Sequence, residues 1–154
     1  MTGIPLQPPI AGELRQLAVD GDAVTFFGEE RRARVSVCIP VRNAEATLER
    51  CLESVLSQEG PQLRVVVVDN ASTDGTFALA CARATSDARV VVYRNPRDIG
   101  RIANWNRCLA LAGDADYVKL LMAGDVLLPG FLAESVAMMD AIAVANAAVQ
   151  ADFR

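Results

Sequence analysis

Residues 63–76 read LRVVVVDNASTDGT: four consecutive valines run into Asp69 and Asn70 and then into Ser72, Thr73, Asp74, Gly75 and Thr76. A strand with one wet face alternates apolar and polar residues, whereas an unbroken apolar run suits a parallel strand buried on both faces. The neighbouring segments agree. Upstream, RVSVCIPV (34–41) is rich in β-branched residues and stops at Pro40. Between the two strands, Leu48, Cys51, Leu52, Val55 and Leu56 repeat at helical spacing over 44–58, with Asn43 as the expected N-cap and Gly60-Pro61 as the stop. Downstream come a helix over 74–85 with Thr73 or Asp74 as cap, a strand over 88–94, a helix over 100–112 and a strand over 116–122. Pro129-Gly130 opens an alanine-rich segment expected to form a helix over about 130–140 and then a strand. Strand–helix alternation with short connections predicts an α/β fold, a parallel sheet covered by helices on both faces. Residues 1–33, punctuated by Pro5, Pro8 and Pro9, are expected to be an extension with at most one short helix near 12–19, and 34–154 the main domain.

The totals narrow the function classes. A chain of 154 residues with 52% hydrophobic and 22% charged residues has the material for one folded core. A net charge of −4 without a basic tract argues against nucleic acid as a partner. No apolar run is long enough to span a membrane, because 131–149 carries Glu134 and Asp140. Cys38, Cys51, Cys81 and Cys108 are widely spaced and there is no histidine, which excludes the common zinc patterns. Such cysteines are expected as core thiols in a reducing, cytoplasmic compartment.

In an open parallel sheet, ligands bind beyond the carboxyl ends of the strands, where strand order reverses. The four expected strands exit through Pro40-Val41-Arg42-Asn43, Asp69-Asn70, Asn95-Pro96-Arg97-Asp98 and Gly124-Asp125. Each exit also reads as an ordinary turn, since Asp and Asn favour turns and caps. Four polar exits at one rim favour a binding site. No Gly-x-Gly-x-x-Gly follows the first strand, so a dinucleotide-dependent oxidoreductase is excluded.

The blocks VSVCIPVRNAEATLERCLESVLSQ, VVVVDNASTDGT and NPRDIGRIANWNRCLALAGDADYVKLLMAGDVLLPGFL, in that order, resemble the family 2 glycosyltransferases. The resemblance implies the Rossmann-like GT-A fold, a three-layer α/β/α sandwich with a mostly parallel sheet, and transfer of a sugar from a nucleotide sugar, a UDP-sugar first, to an acceptor hydroxyl with inversion. It implies nucleotide binding by Pro40, Val41, Arg42 and Asn43, with Arg42 where the family often has an aromatic residue beside the base. It places Asp69 against the uracil ring and Arg101 on the diphosphate side. It makes Asp125 the surviving acid of a DxD-type motif, holding Mn²⁺ or Mg²⁺ on the donor diphosphate. The literal Asp114-Ala115-Asp116 precedes the fourth strand and so belongs to the opposite end of the sheet.

In that family the acceptor-binding half and the catalytic base follow the acidic motif. Here the chain reads as a donor-binding half without them, its catalytic base unassigned and its glycan, lipid or protein acceptor unknown. Glu134 and Asp140 are expected to be surface charges on the last helix. The alternative reading is a non-catalytic nucleotide-sugar-binding module or an inactive fragment of such an enzyme.

Overall fold

The computed structural model describes residues 13–152. In chain order the elements are β1 (Arg15–Val19), β2 (Asp22–Phe27), β3 (Val35–Val41), α1 (Glu45–Leu56), β4 (Leu63–Asp69), α2 (Thr76–Ser86), β5 (Val90–Arg94), α3 (Arg101–Ala110), β6 (Tyr117–Leu120) and α4 (Phe131–Asp152). They build a six-stranded sheet in the order β1-β2-β5-β4-β3-β6. β5, β4, β3 and β6 are parallel to their neighbours, and the β1–β2 hairpin joins β5 antiparallel.

The valine run behaves as its pattern requires. Val65 and Val67 enter one core with Leu48, Cys51, Leu52 and Val55 of α1, Ala80 and Ala84 of α2, and Leu132 and Val136 of α4. Val66 and Val68 enter the other core, with Cys108 of α3, Ala112, Tyr93 and Phe26. All four valines are fully buried, each contributing about 1.5–3 kcal/mol relative to an exposed side chain. Helices cover both faces, so β4 has no wet side on which a polar residue could alternate.

Two expectations need correction. Residues 15–19 are a strand, not a short helix, because Asp20 (φ 50°) and Gly21 (φ 82°) form a tight two-residue turn that returns the chain as β2. The expected extension therefore contributes a hairpin to the sheet; its residues 1–12 lie outside the described residues. Second, the strand expected after residue 140 is absent, and α4 continues to Asp152. The alanine-rich segment after Gly130 contains no proline or glycine to stop it, and alanine has the highest helix propensity.

Of the cysteines, Cys38, Cys51 and Cys108 are buried and Cys81 is half-buried, all as free thiols. Among the described residues, no helix is long and apolar enough to cross a membrane.

Candidate functional site

The chain runs from β3 through β4 to β5 in one direction across the sheet and then crosses back to place β6 on the other side of β3. That reversal opens a crevice at the carboxyl ends, where a cavity of about 530 Å³ lies. The β3 exit supplies Pro40, Val41, Arg42 and Asn43, and the start of α1 supplies Thr47. Asn70 comes from β4, and Asp98, Gly100, Arg101, Asn104 and Trp105 come from the β5–α3 connection. Met122, Ala123 and Gly124 close the side beyond β6.

The segment 72–76 is a clip between two exits. Asn43 donates its backbone N–H to Ser72 Oγ at 2.8 Å, and its Oδ1 accepts from the Thr73 N–H at 2.9 Å. The Ala44 N–H donates to Thr76 Oγ1 at 2.8 Å, and the Gly75 N–H donates to Glu45 Oε2 at 3.0 Å. A Cβ at 75 would sit 2.5 Å from Glu45 Oε1, so a larger residue there would displace that carboxylate. Asn43 is thus a tertiary bridge rather than the expected cap of α1, whose first turn has no side-chain cap. Its left-handed backbone (φ 49°) is one that asparagine tolerates. Asp74 does act locally, its Oδ1 accepting from the Thr76 N–H at 3.0 Å.

Behind this clip is a buried polar network. Asn70, Asn95 and Asn104 are each at most 3% exposed. Asn95 Nδ2 donates to Asn70 Oδ1 at 3.0 Å and to Asn104 Oδ1 at 2.9 Å. Asn70 Nδ2 donates to Asp98 Oδ1 at 2.6 Å, and Asn104 Nδ2 donates to the Val68 carbonyl at 3.1 Å. Arg42 reaches across the lip, donating to the Asn70 carbonyl at 2.6 Å while its guanidinium pairs with Asp98 at 3.3 Å. The Gly100 N–H, and then the Arg42 and Asn70 contacts, hold the Asp98 carboxyl below the usual carboxylate range.

The expected site residues do not all meet. Pro40, Val41, Arg42, Asn43 and Arg101 line the cavity. Asp69 does not; it is fully buried beneath the wall. Both its oxygens lie 3.3 Å from the Ser72 N–H, and Arg94 Nε is 3.4 Å from Oδ2. Burial raises the Asp69 pKa, against the opposing effects of Ser72 and Arg94. The left-handed turn at Ala71 (φ 54°) folds Ser72 back over the carboxylate, which is why Asn70 is the first side chain of this exit to face the cavity.

Asp125 also stands apart. It is exposed on a turn closed by its own N–H to the Met122 carbonyl at 2.9 Å. It lines a neighbouring depression with Lys119, Leu128 and Phe131, which meets the main cavity at Gly124. Among the described residues no group of three or more acidic, cysteine or histidine side chains could hold a metal ion. One carboxylate still suits Mg²⁺ or Mn²⁺ when phosphate oxygens supply further ligands. Asp116 pairs with Arg34 at 3.5 Å beside the start of β6, at the opposite end of the sheet from Asp125.

Asp98, Asn104 and Trp105 were not singled out as site residues from the sequence. A signal for Trp105 was present: Arg101 and Trp105 are four apart on one helix, and the guanidinium carbon sits 5.5 Å from the ring centre. Asn95 was legible only as part of the polar exit 95–98, and Asn104 had no signal, because their roles depend on contacts between separate elements.

The profile of glycosyl transferase family 2 matches residues 36–154. The chain belongs to this family. It is 34% identical over 109 residues to a putative glycosyltransferase, EpsE, of Bacillus subtilis, covering 70% of this chain and 38% of that protein. The family 2 chain also superposes on TarS 1-349 of S. aureus, solved in complex with UDP-GlcNAc, with a TM-score of 0.63 and 24% identity over 70% of this chain and 31% of that one. The mannosyltransferase PcManGT of Pyrobaculum calidifontis, solved in complex with GDP-Man and Mn²⁺, gives a TM-score of 0.54 and 29% identity over 62% of this chain and 29% of that one. The six-stranded, mostly parallel sheet with its helices is the α/β architecture of GT-A transferases. The chain spans between a quarter and about two-fifths of the length of the curated relatives it matches.

Proposed function

We propose that this chain forms the donor-binding part of a glycosyltransferase that takes a nucleoside diphosphate sugar, UDP-linked by preference, and transfers the sugar to an acceptor hydroxyl with inversion. The observation that carries the reading is the cavity at the β3/β6 switch point, walled by four strand exits. Binding of UDP-GlcNAc by TarS and of GDP-Man by PcManGT supports nucleotide sugar as the ligand class and leaves the base to local chemistry.

In this reading the β3 and β4 exits hold the nucleoside and α3 faces the diphosphate. Arg101, at the first position of α3, adds its charge to the positive end of the helix, and Trp105 holds its guanidinium at the cavity. Asp125 would hold a divalent cation together with phosphate oxygens, and such a cation stabilises the leaving diphosphate as a Lewis acid. Asp69 orders the 70–73 turn through Ser72; direct contact of its carboxylate with a base N–H requires Ser72 and Arg94 to release it.

A binding module without transfer is the second reading, and a specific observation favours it. Asp98 is the sole carboxylate lining the cavity among the described residues, and Arg42 already holds it. Asp140 on α4 is bound by Arg34 at 2.6 Å and accepts from the Tyr117 hydroxyl at 2.6 Å. A general base must lie within hydrogen-bond reach of the acceptor and contributes about 10²–10⁴-fold. The 154-residue chain is therefore expected to bind donor but transfer slowly or not at all.

Calorimetry with UDP, GDP and ADP tests the donor reading, with UDP expected to bind tightest. Asp69→Ala removes the acceptor that orders the 70–73 turn and is expected to weaken UDP binding by about 1–3 kcal/mol, the range for a buried group left unpaired. Tighter GDP binding would reverse the choice of base. Absence of binding by all three would remove the donor site itself. UDP release from UDP-sugars with an acceptor panel, at about 1 s⁻¹ or faster, would refute the expectation of slow transfer.

A further inference from the structure

The β1–β2 hairpin precedes the part of the chain that matches the family, yet it reaches the cavity wall through one carboxylate. Asp22, the first residue of β2, follows the tight turn at Asp20-Gly21 and is held near the end of α3. Its Oδ2 accepts from Arg107 Nη2 at 2.9 Å and its Oδ1 from Arg97 Nη1 at 2.5 Å. Arg107 is buried at 5% exposure, its Nε has no partner, and its other acceptor is Asn95 Oδ1 at 2.9 Å. Asp22 is thus the counter-ion that makes burial of this guanidinium tolerable.

A guanidinium only donates hydrogen bonds, whereas a primary amide has a donating and an accepting end. Arg107 therefore forces Asn95 to present its oxygen, and Asn95 must turn its Nδ2 toward Asn70 and Asn104. Those two amides must in turn present their oxygens to Asn95. Their own Nδ2 groups are left to donate elsewhere, Asn70 to Asp98 and Asn104 to the Val68 carbonyl. Arg107 thus fixes Asn95 from one side, while Asn104 is also held by the Val68 carbonyl, and Asn70 by the Ile99 N–H at 3.0 Å and by Asp98. The last contact is at the cavity lip, where Asp98 also accepts from the Gly100 N–H at 2.9 Å.

We propose that Asp22 is a positioning residue for the cavity wall: by anchoring Arg107 it holds Asn95 against Asn70 and Asn104, and so steadies the wall that faces the nucleotide. The effect on nucleotide binding rests on the donor reading above, whereas the relay does not. Without the Asp22 carboxylate, the buried guanidinium keeps only a neutral acceptor and shifts toward solvent. Asn95 then loses its charged donor, and its hold on Asn70 and Asn104 loosens.

The test is ¹⁵N NMR of the side-chain amides of Asn70, Asn95 and Asn104 in the whole chain without ligand, followed by UDP titration. Asp22→Asn is expected to move all three amide signals and weaken UDP binding by about three- to ten-fold, the effect of one weakened hydrogen bond. Asp22→Glu restores the charge and is expected to return the signals toward their original positions. Gln16→Ala removes the hairpin hydrogen bond to Thr25 without touching Arg107 and is expected to change neither readout. Arg97→Gln loosens the same carboxylate without stranding a buried charge, and a smaller displacement of the same signals is expected. Unmoved amide signals in a folded Asp22→Asn protein overturn the relay. Moved signals with unchanged UDP affinity overturn its bearing on the site. If the parent chain binds no UDP, the donor reading fails by itself and the amide signals alone decide the relay.

Discussion

The two sides of the cavity are built on opposite principles. On the β4–β5 side, Asn70, Asn95, Asn104 and Arg107 are all but buried, and their side chains satisfy one another in a directional network. On the β6 side, the chain leaves the sheet through Gly124, Asp125 and Val126, all exposed, and Leu128 is 72% exposed. The first wall holds its groups in place before any ligand arrives. The second presents one carboxylate and apolar side chains and fixes little. A preorganised wall suits recognition of a rigid base and ribose, where ordering costs are avoided in advance. An exposed carboxylate beside it suits a cation that arrives with its ligand.

The largest effect is expected on the ordered wall. Asn95→Ala leaves Arg107 Nη1 and the Asn104 oxygen without a partner in a buried setting, while Asn70 Oδ1 keeps only the Ile99 N–H. A buried polar group left unpaired costs about 1–3 kcal/mol, so a loss of about 3 kcal/mol in urea unfolding is expected, with weaker UDP binding. A loss below about 0.5 kcal/mol, the range of ordinary surface changes, would mean that this wall is no more ordered than its opposite.

The comparison also explains what was legible in the sequence. The fold was legible at β4 because both faces of the strand are covered, and the Val65–Val68 run records that directly. The rim was legible because Pro40–Asn43 and Arg101 sit where strand and helix ends can be placed by pattern. Asp69 was read as surfacing at the rim because the apolar run ends there. Its burial depends on Ser72 folding back through Ala71, which no periodicity encodes. The hairpin was missed although Asp20-Gly21 between alternating apolar residues is a strong turn signal, because the prolines before it suggested an irregular extension. The last helix runs past residue 140, where a strand is expected from the sequence, because its alanine content favours continuation. The Asp22–Arg107–Asn95 connection joins residues 22, 107 and 95, and spacing in one sequence carries no trace of it.

On the open wall the expected effect is on ligand rather than on stability. Asp125→Asn is expected to leave unfolding within about 0.5 kcal/mol of the parent, as for other exposed positions. UDP affinity in Mn²⁺ is expected to fall by about ten-fold, the worth of one charged contact, and chelator should then have no further effect. Asp114→Asn should change neither measurement. If it removes the Mn²⁺ dependence instead, the cation binds at the wrong end of the sheet for this account.

Asp98 lets pH separate the two walls. Its pKa in the folded chain lies below the ordinary value of 3.8, chiefly because the Gly100 N–H donates to it. A depressed carboxyl contributes stability that is present above the unfolded pKa and lost as pH falls through the folded one. The parent should therefore lose stability as pH drops below about 4, and Asp98→Asn should lose less over the same window. Thermal melts across that range measure the difference. Equal slopes for the two proteins would show that Asp98 does not tie the lip to the network.

The smallest effect tests whether the ordered wall stores strain. Ala71 lies at φ 54°, in the left-handed region, between Asn70 and the Ser72 that covers Asp69. For a residue with a Cβ this conformation costs about 1–2 kcal/mol. It is held by contacts on both sides, as Arg42 donates to the Asn70 carbonyl and Asn43 donates its N–H to Ser72 Oγ. Glycine adopts the same conformation without the Cβ penalty but loses about 0.4–1 kcal/mol more chain entropy on folding. The difference leaves Ala71→Gly more stable by about 0–1.6 kcal/mol. Urea unfolding reads this directly, and UDP affinity should stay within about two-fold because the contacts that define the turn are unchanged. A destabilised Ala71→Gly protein would show that the Ala71 methyl packs usefully and that the turn is not strained. The burial of Asp69 would then follow from packing at Ala71, and Ser72 alone would not be what turns its carboxylate away from the cavity.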